Sequence, residues 1–205
     1  LNRRKFIQNT GKIGLAGSAL PFLAKAKHHN NKRFTLGLSQ YSLRALLKDG
    51  SLDALDFPKF TVDQFGLHAI DLWEGGLPKD KLDDSRYLAM MRKKADLAGT
   101  DLFLLMSGAL DASPQKREAS SARISASFNR AVQLGAPMVR VFLKAPGTDP
   151  SAGLKASVEA LKPLADQAAK KNLTIAIEPG ASSLSQKGAF LAQVATQLNH
   201  PALKL

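Results

Sequence analysis

The chain has no cysteine. That excludes disulfides, a thiolate nucleophile, a thiolate-bound metal and a lipid-carrying cysteine. It also lacks a long apolar run: the most apolar stretch, Ile13 to Leu23, is interrupted by glycine and alanine. At about 11 residues it is too short for a hydrocarbon core that needs roughly 20, so no stable membrane anchor is expected. No glycine-rich phosphate loop of the Rossmann or Walker kind follows the first predicted strand, which argues against a nucleotide site. Acidic residues are missing from the first 33 positions.

That last absence explains the charge. The 205 residues carry a formal net charge of +12, yet Arg3, Arg4, Lys5, Lys12, Lys25, Lys27, Lys32 and Arg33 supply eight of those charges before residue 34. The remainder, about +4, is too small to suggest a nucleic-acid face. With 44% apolar and 22% charged residues, the rest has the composition of one sizeable globular domain. The first 26 residues have a basic start, an apolar middle and a small-x-small site at Ala24-Lys25-Ala26, the three parts of an export signal. Asn2-Arg3-Arg4-Lys5-Phe6-Ile7 is similar to the twin-arginine motif read by the translocase that exports folded proteins. The expected organisation is therefore a twin-arginine signal peptide over 1–26, a linker with His28 and His29 over 27–33, and a folded domain over 34–205. The expected location is periplasmic or otherwise exported, with the translocase a partner during export.

Beyond residue 33, aliphatic and β-branched runs alternate with amphipathic segments. Strands are predicted at Phe34–Ser39, His68–Trp73, Asp101–Ser107, Met138–Leu143 and Leu173–Glu178, with a sixth beginning at Ala202–Leu205. Their starts recur roughly every 35 residues, the length of one strand, one helix and two loops. Helical stripes join them: Leu88, Met91, Ala95 and Ala98; Ile124, Phe128, Ala131 and Val132; Leu154, Val158, Leu161, Ala165 and Ala168. Such repetition implies a parallel sheet with right-handed crossovers. Alternation within the strands separates barrel from open sheet. Ile175 and Ile177 share one face while Thr174, Ala176 and Glu178 share the other; Ile70 and Leu72 oppose Asp71 and Trp73; Val139, Val141 and Leu143 oppose Arg140, Phe142 and Lys144; Leu36 and Leu38 oppose Gly37, Ser39 and Tyr41. One aliphatic face and one mixed polar face is the pattern of an α/β (β/α)8 TIM barrel whose inner face lines a ligand site. Eight units need roughly 280 residues, so the chain is expected to be truncated after about five and a half units and to be inactive in that form.

Leu36-Gly-Leu-Ser-Gln-Tyr-Ser42, Gly66-Leu-His-Ala-Ile-Asp-Leu72, Leu134-Gly-Ala-Pro-Met-Val-Arg-Val-Phe142, Leu173-Thr-Ile-Ala-Ile-Glu178 and His200-Pro-Ala-Leu-Lys-Leu205 together resemble the xylose isomerase-like TIM barrels. That superfamily contains sugar-phosphate isomerases and epimerases and the AP endonucleases of family 2. The resemblance implies a metal-dependent sugar or sugar-phosphate isomerase or epimerase, acting by proton abstraction next to a carbonyl. It also implies that Glu178, ending strand five, is both an acid/base and a ligand of a divalent metal (Mn, Mg, Co or Zn), with the other ligands beyond Leu205. Glu178 is followed by Pro179-Gly180-Ala181-Ser182-Ser183, where many family members carry Asn-His. That departure favours a non-catalytic carbohydrate-binding barrel as the alternative. An AP endonuclease-like nuclease is disfavoured by the modest charge of the domain.

Further candidates lie at strand ends. Trp73 can stack on a sugar ring and Asp71 can bind hydroxyls, or Asp71 can form an interior pair with Arg140. Arg140 is equally a candidate partner for Glu178. Glu74 and Lys144 lie at the C-terminal ends of strands two and four, where TIM-barrel sites form, and are candidate substrate contacts. His68 enters strand two at the opposite, stabilising end, and His200-Pro201 reads as the loop before strand six. The expected partner is a small-molecule sugar; assembly into a homo-oligomer is left open.

Overall fold

A computed structural model describes residues 34–205, so the leader and linker lie outside the described residues. Six strands form: β1 (Gly37–Ser39), β2 (Ala69–Trp73), β3 (Asp101–Asp111), β4 (Met138–Lys144), β5 (Thr174–Glu178) and β6 (Leu203–Lys204). They make one sheet in the order β1-β2-β3-β4-β5-β6, and each neighbouring pair is parallel. A doubly wound sheet starts near its middle and reverses direction at a switch point. This order never reverses, as in the wall of a (β/α) barrel. Helices α1 (Arg44–Lys48), α2 (Phe57–Phe65), α3 (Ser85–Leu97), α4 (Arg117–Leu134), α5 (Pro150–Lys170) and α6 (Gly188–Leu198) occupy the connections. No helix among the described residues is long and apolar enough to cross a membrane.

Local chemistry sets the helix ends. The Asp84 carboxylate accepts from the amides of Arg86 and Tyr87 to start α3, and Asp149 accepts from Ser151 to start α5, where Pro150 takes the first turn. Pro costs nothing there because its missing N–H would have had no helical partner. Helix α4 ends at Gly135 with φ of 76°, a left-handed position that glycine adopts without the steric cost a Cβ brings.

The aliphatic strand face lies under these helices. Ile70, Leu72, Leu105, Val139, Val141, Leu143, Ile175 and Ile177 are buried together with Leu88, Met91, Phe128, Leu161 and Val194. Emptying a position such as Phe128 would cost about 3–5 kcal/mol.

Four local expectations are revised. Only Gly37–Ser39 of the first predicted strand pairs, and Phe34 and Leu36 are exposed. Val132 is likewise exposed and leaves its stripe to Ile124, Phe128 and Ala131. A short helix, α1, fills what had no helical stripe. Finally, β3 runs to Asp111, four residues beyond its predicted end. Its register against β4 shifts between Met106 and Ala109, and such a bulge inserts extra residues without ending the strand. At that bulge the Ser107 hydroxyl meets Ser127 Oγ at 2.7 Å and the Ser107 carbonyl accepts from Arg140.

Candidate functional site

The inner sheet face is where the polar strand residues meet. Arg140 stands in the middle of β4, level with Met106 of β3 and Ala176 of β5. Its Nη1 donates to the Ser107 carbonyl at 3.1 Å, and its guanidinium lies 4.2 Å from the centre of the Phe142 ring. Glu178 ends β5 two residues further along, paired with Phe142. The Arg140 Nε is 2.9 Å from Glu178 Oε2, with side-chain exposures of 12% and 48%. Yet the same Nε is buried with no hydrogen-bond acceptor. The two observations fit if the N–H is not aimed at the carboxylate, so the contact is one of charge without an aligned hydrogen bond. Burial pulls the Arg140 guanidinium below its usual range, against the opposing pull of Glu178 and Asp71.

Asp71 is buried on β2 beside β1. Its Oδ1 accepts from Ser39 Oγ at 3.0 Å and from the Gln40 amide at 3.2 Å. Burial raises its carboxyl above the usual range despite those bonds and Arg140, and the negative charge of Glu178 adds to the rise. Asp71 and Arg140 therefore share an electrostatic environment, but the direct ion pair of Arg140 is with Glu178. Trp73, two residues on, is half-buried. Its amide donates to Gln40 Oε1 at 2.9 Å, and its ring meets Tyr41 edge-on, with centroids 4.9 Å apart and planes at 86°. Tyr41, Trp73, Asp71, Arg140 and Glu178 are thus the residues that share one end of the sheet.

Glu74 and Lys144 are engaged elsewhere. Glu74 accepts from Arg130 Nη1 of α4 at 2.7 Å, and the remaining Arg130 nitrogens grip Asp83 at 2.9 and 3.1 Å. Lys144 Nζ lies 3.3 Å from Asp111 Oδ2. Burial acts to raise the Asp111 carboxyl, but bonds from the Ser113 hydroxyl and amide, together with Lys144, leave it below its usual range. His68 bonds the Gly99 carbonyl at 2.9 Å through Nδ1. His200 Nδ1 accepts from the Ala202 amide, and its Nε2 lies 3.3 Å from Asp166. Neither histidine reaches the barrel mouth cluster.

Sequence reasoning did not single out Ser39, Tyr41, Ser107 or Arg130 as site or rim residues. The alternation of strand one could have flagged the first two, because it puts Ser39 and Tyr41 on the inner face. Nothing in the sequence marks the bulge that presents the Ser107 carbonyl, or the long-range pairing of Arg130 with Glu74.

A divalent metal needs several oxygen or nitrogen donors converging on one point. Among the described residues no group of three His, Cys, Asp or Glu is so placed, and a guanidinium already lies against Glu178. The residues described do not form a metal site by themselves.

The family profile for the xylose isomerase-like TIM barrel matches residues 61–205. No curated protein matches the sequence. Solved structures share the fold at low identity. A xylose isomerase domain protein from Planctomyces limnophilus superposes with a TM-score of 0.59 at 16% identity, over 71% of this chain and 55% of that one. A D-psicose 3-epimerase in the presence of D-fructose gives 0.58 at 17%, over 83% of this chain and 62% of that one. The IolI protein with a bound zinc atom gives 0.66 at 14%, over 84% of this chain and 62% of that one. The chain thus spans 55% to 62% of the length of these structures. Sequential parallel strands, a polar inner face with its carboxylate at the end of β5, and a profile match over most of the domain together place this chain in the xylose isomerase-like TIM barrel family.

Proposed function

We propose that the protein is a sugar or sugar-phosphate isomerase or epimerase that removes a proton next to a carbonyl, with Glu178 as the base. One observation carries this reading: a half-exposed carboxylate at the C-terminal end of β5 faces a buried guanidinium whose Nε has no aligned acceptor. Glu178 takes the proton from the carbon next to the carbonyl. The C–H electron pair becomes the C=C bond of an enediolate, and the carbonyl oxygen takes the negative charge. Arg140, held by Ser107, keeps a positive charge beside Glu178 that stabilises the charge developing on that oxygen. A preorganised charge of this kind contributes on the order of 10²- to 10³-fold, and the base about 10²- to 10⁴-fold. Return of the proton to the neighbouring carbon, with the matching shift of a hydroxyl proton, gives the isomer; protonation of the opposite face of the same carbon, which takes a second acid on that face, gives the epimer. Asp71, fixed by Ser39 and Gln40, binds a substrate hydroxyl through Oδ2, and Trp73 offers an apolar surface to the ring. Lys144 and Glu74 border the site while holding Asp111 and Arg130.

Divalent-metal dependence is part of the proposal, with Glu178 as the contributed ligand, although it needs more donors than the described residues bring together. Export by the twin-arginine route to the periplasm is proposed as well: replacing Arg3 and Arg4 with Lys should leave the precursor in the cytoplasm, and continued export would contradict it.

The second reading, a carbohydrate-binding barrel without catalysis, is favoured by Pro179-Gly180 following Glu178. Incubating the full-length protein in D₂O with a panel of ketoses and their phosphates, followed by NMR, separates the two. Deuterium entering next to the carbonyl supports the enzyme. Binding without exchange supports the binder.

A further inference from the structure

Beside the barrel mouth, the loop after β1 and the loop after β2 enclose an open groove of about 840 Å³. Sites that bury drug-sized ligands span about 300–1,000 Å³, so the groove has room for a ring of its own. Tyr41, Trp73, Ala45, Lys48, Asp53 and Pro78 are among the residues that line it. None of Asp71, Arg140 or Glu178 lines it. Trp73 nevertheless follows Asp71 by two residues on the same strand face, and Gln40, next to Tyr41 in the chain, bonds both Asp71 and the Trp73 amide. The Tyr41–Trp73 pair is therefore the wall shared by the mouth and the groove.

The wall is held rigidly. A Cβ at Gly75 would come 2.4 Å from the Trp73 ring, and one at Gly76 would come 3.2 Å from it, so the Gly75-Gly76 turn packs against the indole as no other residue could. On the other side the Arg44 guanidinium lies 4.6 Å from the centre of the Tyr41 ring. Fixed aromatic surfaces flanked by a few charged hydrogen-bonding groups suit a sugar ring, whose C–H face stacks while its hydroxyls reach outward. Lys48, which lines the groove, carries a donor for such hydroxyls. Asp53 accepts from them through Oδ2, its Oδ1 being engaged with the Leu55 amide.

We propose that this groove is a second-sugar subsite: the substrate is a disaccharide or other glycoside whose reacting ring lies at Glu178 and whose second ring lies on the Tyr41–Trp73 wall. The inference rests on the sugar-site reading of the mouth. It does not rest on catalysis.

The test titrates full-length protein with glucose and with cellobiose, maltose and sucrose. Binding is read by calorimetry and by the emission of Trp73, the one tryptophan of this chain, with Trp73→Phe as the control. At least one disaccharide should bind about tenfold or more tightly than glucose, the increment of one good stacking contact. Ala45→Phe fills the groove from the surface of α1 and should abolish that preference while leaving glucose affinity unchanged. Tyr41→Ala should reduce it. Equal affinities for one and two rings, or a preference that survives Ala45→Phe, would overturn the subsite. Because the readout is binding, a protein that prefers disaccharides yet exchanges no deuterium would overturn the catalytic reading alone.

Discussion

Two arginines in this barrel are each flanked by two carboxylates, and they are treated in opposite ways. Arg130 has Nε and Nη2 on Asp83 and Nη1 on Glu74. Burial works against its charge, but those bonds outweigh it and hold the guanidinium above its usual range. Arg140 is also close to two carboxylates, Glu178 and Asp71, but burial outweighs them and its shift is downward. Its Nε has no aligned acceptor. The difference is geometric saturation: Arg130 ties α4 to the β2 loop with all three nitrogens bonded, and Arg140 is held by a backbone carbonyl while its buried Nε lies unaligned beside Glu178. A saturated ion pair serves the fold. An unsaturated one inside a concave face is a candidate for chemistry.

The sharpest way to break this comparison is to remove each guanidinium in turn. Arg140→Met should lower deuterium exchange on the preferred substrate by about 10²- to 10³-fold while leaving the denaturation midpoint almost unchanged, because a poorly compensated buried cation is lost with it. Arg130→Met should do the reverse. It strands the partly buried Glu74 and should cost about 3 kcal/mol, the low end for breaking such a pair, with exchange per folded molecule unaltered. Denaturant titration and NMR exchange on both variants check the pair of outcomes, and equal loss of stability in the two would erase the distinction.

Asp71 sharpens it through pH. A carboxyl raised in the folded state binds its proton more tightly there than in the unfolded chain. Its stabilising contribution is therefore complete below the unfolded value and is lost as pH rises through the folded value. Asp71→Asn keeps an Oδ1 acceptor for Ser39 and Gln40 and removes that loss. The variant should match wild type in acid and exceed it in stability at neutral pH, as measured by unfolding at both. A difference of the opposite sign would show that Asp71 is stabilised as an anion.

The smallest effect is expected at Lys144. Its pair with Asp111 is half open to solvent, so Lys144→Ala should change stability by about 0–1 kcal/mol. A larger loss in denaturant titration would move Lys144 from the rim into the structural frame with Arg130.

Much of this contrast was within reach of the sequence, but not all of it. Strand alternation is a local property with a period of two residues, so it put Asp71, Trp73, Arg140 and Glu178 on one face and Ile175 and Ile177 on the other without any knowledge of tertiary contacts. Glu74 follows β2 by one residue and Lys144 ends β4, yet what they bond is decided by Arg130 of α4 and Asp111 of β3, whose approach depends on helix packing and strand register. The bulge that lengthens β3 and supplies the carbonyl for Arg140 has no signature in Met106-Ser107-Gly108 beyond a glycine. The groove arises from two loops, after β1 and β2, that meet only when the sheet forms.

The account stands most directly on one measurement: deuterium incorporation next to the carbonyl of a substrate by full-length wild type and Glu178→Gln, with unfolding midpoints taken alongside. Glu178 is half exposed at a strand end, so the variant should still fold, with a midpoint lowered by loss of the charge opposite buried Arg140, and lose at least about 10²-fold in exchange. Equal exchange rates in two equally folded proteins would contradict the assignment of Glu178 as the base.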